Sequence, residues 1–353
     1  MSRSSGLAAA FAEQARSCGR LGSPMYEALL WRMTAELGAG GPLDRVLAAH
    51  ADDPGPSAVA LRLLGSVHRL VLEGRAGPLA RYYPSAGGDF ELDAAWPLVE
   101  DLLEEQADFV TAGLAQPPQT NEVGRAAALV GALLRVPAAE LPIRLFELGA
   151  SAGLNLRADH YRYSGAGGTW GPPDSPVRLD GSWAGVATPA GRRLNLVERT
   201  GCDPAPVDPT TPAGRTLLSA YVWADQAARL ARLRGAVDVA ARVPAQVRTQ
   251  RAGDFVAHLH LLPGHCTVLW HSVMWQYVDR AEQAVVRNHL RRLSDDSSPD
   301  MPFVHLYLEP TRRVAGGEHE FLVVDERSPY QPAVPSRILG TSPAHGLPVT
   351  WER

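Results

Sequence analysis

The stretch Ile143–Asn155, IRLFELGASAGLN, constrains the fold more than any other part of the chain. Leu145–Leu148 is apolar except for Glu147, and Gly149-Ala-Ser-Ala-Gly153 follows, then a second apolar-periodic run. A short apolar run closed by glycine reads as a buried strand. A strand that ends in a glycine-rich turn and opens a helix is how an α/β sheet holds a nucleotide-like ligand. Gly149 lets the chain turn tightly, Gly153 lets backbone and ligand come close, and the first N–H groups of the helix offer donors. The spacing predicts a ligand site at this turn and a crossover helix over Leu154–Tyr163. The same pattern without a ligand is a plain strand-to-helix turn.

The rest of the chain narrows the chemistry. At 353 residues it can bury a large core in one or two domains. A net charge of −4, with 45% hydrophobic and 20% charged residues, gives no electrostatic reason to expect nucleic acid. No run of about 18 apolar residues suggests a membrane span, and the first 20 residues lack the apolar core of a signal peptide. Cys18, Cys202 and Cys266 are widely spaced, which fits a reducing cytoplasm and no metal site. All 34 basic residues are arginine. Without lysine there is no Schiff-base chemistry and no P-loop of the usual kind.

Residues 1–140 read as a helical region covering the site, with amphipathic segments at Leu7–Gln14, Met25–Leu37, Leu43–His50, Val59–Leu72 and Ala95–Leu114. Ser23-Pro24 reads as an N-cap followed by proline at the first helical position. Residues 141–353 read as the α/β domain, with a Gly- and Pro-rich insertion at 164–194. Strands are expected at Leu194–Glu198, Ala245–Thr249, Cys266 onward, Phe303–Leu308, Glu320–Asp325 and Leu347–Trp351, and a helix over Ser219–Ala241.

Four clusters carry candidate chemistry. Gln119, Asn121, Glu122 and Arg125 sit where an apolar helix begins; they either cap it or contact a substrate. In a dinucleotide-type sheet an acid ending the second strand receives ribose hydroxyls. Glu198 is the candidate by order, with Asp203 and Asp208 as rivals; about 50 residues separate it from the turn, against an ordinary ~20, so the insertion must lie between. Asp254 follows the next strand and is either an N-cap or a ligand contact. Trp270-His271-Ser272 ends a buried strand and leads into Trp275 and Tyr277. His271 is there either a hydrogen-bonded structural residue or a general base, with Trp275 and Tyr277 as a substrate wall; Glu309, after the following strand, is a second candidate base.

FELGASAG resembles motif I of the S-adenosylmethionine (SAM) methyltransferases, with Ser151 at the middle glycine's position, and the Gly-Asp-Phe at 253–255 resembles their third-strand motif. QTNEVGR, FELGASAGLNL, ERTGCDPAPVDP, YVWADQ, HSVMWQY, LEP and the terminal HG-x-P-x-x-W together resemble a largely actinobacterial family, domain of unknown function 2332. The resemblance implies a Rossmann-like, SAM-methyltransferase-type sheet flanked by helices, with a helical N-terminal part. It implies a SAM-dependent transferase acting on a small molecule, such as one of secondary metabolism. Glu147, Gly149, Ser151 and Gly153 would then hold the methionine end of SAM, Glu198 or a nearby acid its ribose, and Asp254 would lie beside adenine. Two alternatives stand beside it. The same fold can run a non-methyl displacement, elimination or ring closure on a biosynthetic intermediate, or it can bind a ligand, a protein partner or a second copy without catalysis.

Overall fold

A computed structural model describes residues 3–50, 53, 58–314, 316–326 and 336–352. Two compact units divide the chain, and neither is continuous in sequence. Met1–Thr120 and Thr211–Ala231 form the first, Asn121–Thr210 and Arg232–Arg353 the second. The helices in chain order are α1 (Arg3–Arg20), α2 (Pro24–Glu36), α3 (Pro42–Leu47), α4 (Val59–Leu72), α5 (Leu92–Glu105), α6 (Ala107–Leu114), α7 (Ala126–Leu133), α8 (Pro212–Ala220), α9 (Ala227–Ala240), α10 (Ala252–Ala257) and α11 (Arg280–Asp295).

The first unit is helical, and its core includes Phe11, Leu29, Met33, Leu63, Val67, Leu70, Leu103 and Trp223. Its α2 begins as the sequence suggests: Pro24 occupies the first turn and the Ser23 hydroxyl accepts from the Tyr26 N–H. The expected single helix over Ser219–Ala241 is instead two, α8 and α9, broken at 221–226. The break has a structural use. Asp225 accepts from the Ser23 hydroxyl at 2.6 Å and from the Met25 N–H at 3.0 Å, and Trp223 stacks on Tyr26 at 5.9 Å. Both residues therefore anchor the start of α2.

Among the described residues the second unit is built on a sheet of 11 strands. They are β1 (Ile143–Leu148), β2 (Arg162–Gly165), β3 (Gly168–Trp170), β4 (Arg178–Gly185), β5 (Leu196–Asp203), β6 (Gln246–Thr249), β7 (Cys266–Ser272), β8 (Phe303–Thr311), β9 (Glu320–Asp325), β10 (Arg337–Thr341) and β11 (Val349–Trp351). Their spatial order is β3-β2-β4-β11-β10-β9-β8-β7-β1-β5-β6. The run β8-β7-β1-β5-β6 is parallel throughout. β9 and β10 are antiparallel to their neighbours. Most of the sheet is thus parallel and flanked by helices. β1 and β7 are buried along their whole length, as continuous apolar strands covered on both faces should be. The 164–194 insertion supplies β2–β4 and extends the sheet, and β10 is a strand that the sequence pattern did not suggest.

Side chains alternate between the two faces. On one face Phe146, Leu148 and Leu269 pack against Phe255 and Val256 of α10 and Val286, Leu290 and Leu293 of α11. By alternation and register His271 belongs to this face and Glu147 to the other.

Candidate functional site

The turn after β1 is left-handed at every second residue: Gly149 and Gly153 at φ 65° and Ser151 at φ 50°. A side chain in this region costs of order 1–3 kcal/mol, so something must hold Ser151 there. Asp203, the last residue of β5, does so: its Oδ2 accepts the Ser151 N–H at 3.0 Å and its Oδ1 the Ala205 N–H at 2.9 Å. The Ser151 carbonyl in turn accepts from the Val207 N–H. Neither glycine tolerates a methyl. A Cβ on Gly153 would lie 2.8 Å from Val247 Cγ2, and one on Gly149 would lie 2.9 Å from Met274 Cβ.

The expected crossover helix does not form. Asn155–His160 is a short 3-10 run, interrupted by Arg157 at φ −108° and ψ 17°. Side chains take the carbonyls that an α-helix would use: Arg157 Nη1 donates to Gly153 O at 2.7 Å, Tyr161 Oη to Leu154 O at 2.5 Å and Tyr163 Oη to Ala158 O at 2.7 Å. The helix N-terminus expected to present donors is therefore absent, and the turn must hold any ligand by its shape and its own backbone.

Asn121 and Glu122 bond to the residues that follow this turn, and Arg125 reaches other segments. Asn121 Oδ1 accepts the Leu154 N–H at 2.9 Å, the Glu122 carbonyl accepts from Asn155 Nδ2 at 3.4 Å, and the Glu122 carboxylate caps Gly124 N at 3.0 Å. Arg125 donates to the carbonyls of Ala344 at 3.0 Å and Ser272 at 3.3 Å. A Cβ on Gly124 would lie 2.3 Å from the His345 carbonyl, so the QTNEVGR and terminal HG segments touch backbone to backbone. Gln119 is buried and belongs to the first unit. Glu147 lies beneath, 2% exposed. Burial pushes its carboxyl up to about 8; Asn155 hydrogen-bonds it and lowers it, the Asp203 charge raises it, and Arg125 and Arg157 lower it. Its Oε2 and Asn155 Oδ1 are both buried without a hydrogen-bond partner.

A second polar cluster lies on the α10–α11 face. Glu309 Oε1 meets His271 Nδ1 at 2.8 Å, and His271 Nε2 meets His305 Nε2 at 3.1 Å. Between the two imidazoles only one proton fits. With Nδ1–H of His271 donating to the Glu309 carboxylate, His271 Nε2 is the acceptor and His305 Nε2–H the donor. Burial, with His271 beside it, holds His305 well below the usual imidazole range, which keeps it neutral. Tyr307 and Trp275 each stack on His271 at 5.3 Å. His271 is 3% exposed and both its nitrogens are engaged inside the protein. Glu309 Oε1 also accepts from the N–H groups of Met274 and Trp275, at 3.0 and 3.3 Å; its Oε2 is buried without a partner.

Two expected positions are corrected. Glu198 does not end its strand: it is the third residue of β5, opposite Arg144, and the two pair at 2.6 Å. The parallel register instead puts Cys202 beside Leu148, so Asp203, one of its rivals, is the acid next to the glycine turn. Asp254 is an exposed first-turn residue of α10, whose N-cap position is Arg251, so it is not a cap. Trp275 is half-buried and Tyr277 is 51% exposed, in a 3-10 turn that follows β7. His305 and Tyr307 went unread in the sequence. Their signal is the spacing of His305, Tyr307 and Glu309, every second residue of a buried strand facing His271. Among the described residues no group of three or more His, Cys, Asp or Glu side chains is placed to share a metal, and no helix is long and apolar enough to cross a membrane.

The fold is that of an α/β protein whose mostly parallel sheet reverses its strand order at β1. The chain belongs to the family described as an uncharacterised protein conserved in bacteria (DUF2332), whose family model matches residues 8–351. Neither the curated proteins nor the solved structures contain a match to it.

Proposed function

We propose that the protein is a SAM-dependent methyltransferase of Rossmann-like type that acts on a small molecule. One observation carries this reading. The left-handed turn at Gly149, Ser151 and Gly153 follows the carboxyl end of β1, the strand from which later strands are added in both directions, and Asp203 closes it from the neighbouring strand. In open α/β sheets ligands bind in the crevice outside the strand ends at such a switch point. By order of appearance the parallel strands run third, second, first, fourth, fifth, as in doubly wound nucleotide-binding sheets.

The turn suits the cofactor in backbone shape and in the nearby acid; the face of Gly149 is filled by Met274 and must be cleared first. Bound there, SAM would supply an activated methyl group. The protein's own part is to align the acceptor and to take its proton. His271 has no nitrogen to spare, whereas Glu309 Oε2 has no partner, so Glu309 is the proton acceptor and His271 positions it. Three buried free cysteines suit a reducing cytoplasm. Calorimetry on cofactor-free protein tests the reading with S-adenosylhomocysteine and SAM. Saturable binding of either, lost in Gly153→Val, is expected; no binding of either overturns it.

A second reading is non-catalytic binding on the same fold. It is favoured by the inward satisfaction of Arg125, whose guanidinium donates to two backbone carbonyls. Ligand binding without methyl transfer to any acceptor in a metabolite extract would support it over the first.

A further inference from the structure

Val273, the residue after β7, stands at φ 51°. For a β-branched side chain that is a genuine outlier, and such strain persists only where the surroundings impose it. They do so from three sides. The Val273 N–H donates to the Leu308 carbonyl at 2.9 Å. The next two N–H groups, of Met274 and Trp275, both donate to Glu309 Oε1, the oxygen that His271 also bonds. Gln283 of α11 donates to the carbonyls of Trp275 and Val278, both at 3.0 Å, and closes the far end. What the segment holds in place is Met274, whose Cβ and Cγ pack on the face of Gly149 where a methyl would clash. Glycine, lacking Cβ, is the residue that lets a ligand come close to the backbone.

We propose that Val273–Val278 is a gate on the Gly149 crevice, with Met274 as the plug, Glu309 as the latch and Val273 as the hinge. Turning Val273 back to extended backbone relieves its strain, withdraws two N–H groups from Glu309 and lifts Met274 off Gly149. The closed state thus stores strain that opening releases, and the latch offsets it. His305 acts through His271: by donating to Nε2 it leaves Nδ1–H pointing at Glu309, so the latch oxygen stays where the two backbone donors meet it. The proposal rests on the crevice being the cofactor site.

The test has one arm without ligand and one with it. Hydrogen exchange is followed in peptides covering 273–278, with the β7 peptide as a control for the fold. Glu309→Gln removes the charged acceptor and should speed exchange in 273–278 about tenfold or more, leaving β7 unchanged. Val273→Gly, which accepts positive φ without strain, should slow it. In the second arm, Met274→Ala, which keeps Cβ but removes Cγ and the thioether beyond it, should bind S-adenosylhomocysteine about tenfold more tightly than the natural protein, since most of the plug no longer has to be displaced. Unchanged exchange in Glu309→Gln overturns the gate. So does equal affinity of Met274→Ala and the natural protein. If neither protein binds the nucleoside, the cofactor reading falls, and the exchange result alone decides the latch.

Discussion

Glu147 makes the stability of this protein depend on pH in a way that one substitution isolates. In the unfolded chain its carboxyl titrates near its ordinary 4.5; in the fold, burial pushes it up to about 8. Below pH 4.5 both states hold the proton and Glu147 adds no pH dependence. Between 4.5 and about 8 the folded state holds a proton that the unfolded state has lost, so folding is progressively disfavoured as pH rises. The slope is about 1.4 kcal/mol per pH unit. Over the span from 4.5 to about 8 it accumulates to about 5 kcal/mol, as an order of magnitude. Glu147→Gln resembles the protonated side chain and cannot ionise. Urea titrations of the natural protein and this variant at pH 5, 7 and 9 share every other titrating group, so their difference reports Glu147 alone. We expect near-equal midpoints at pH 5 and a variant that is the more stable by several kcal/mol at pH 9. Parallel pH dependences would refute the reasoning and place an unseen donor on Glu147 Oε2.

Three further outcomes follow from the same geometry. Asp203→Asn should cost about 1–3 kcal/mol by weakening the bonds to Ser151 and Ala205, and it should also narrow the pH span over which Glu147 destabilises the fold, because a like charge that raises its carboxyl is removed. In urea or thermal melts Gly153→Ala should cost about 2–4 kcal/mol, strain and clash together, whereas Gly22→Ala, at φ 79° with nothing within 4 Å, should cost only about 1–2. Glu198→Gln should cost at most about 1 kcal/mol, since its carboxylate is a third exposed, and should leave nucleoside binding unchanged; a lost affinity in calorimetry would return Glu198 to the cofactor site.

The parts legible in the sequence are those fixed by local pattern. The apolar run before Gly149 and the run from Cys266 onward each specify a strand buried on both faces, and Ser23-Pro24 specifies a helix start. What escaped was set by partners distant in sequence. Leu154–Tyr163 has helical periodicity, but Arg157, Tyr161 and Tyr163 turn inward and take the carbonyls a helix needs. Tertiary bonding there overrides a weak local preference. The strand containing Glu198 runs five residues further than its apolar letters suggest, because Arg199, Thr200 and Gly201 keep extended pairing with β1 and β6. That extension moves the strand-end acid from Glu198 to Asp203. The polar cluster at 121–125 is visible in the sequence as a cluster. Only the fold shows that its groups face inward, and that His271 lies across the sheet from Glu147.

The position of β11 has a consequence for the order in which the protein can be made. This strand, Val349–Trp351, comes after the other ten described strands in the sequence yet lies inside the sheet, between β10 and β4. Until it leaves the ribosome the sheet exists as two separate pieces, β3-β2-β4 and the seven strands from β10 to β6, each with an open edge facing the gap. The helical unit waits as well, because Thr211–Ala231 must be synthesised before Trp223 and Asp225 reach α2; at ordinary elongation rates that is roughly 5–20 s after Thr120. A chain cut short by a few residues before Val349 would therefore lose the strand that joins the two pieces, and with both edges bare it would be a ready target for proteases and for association with other nascent chains.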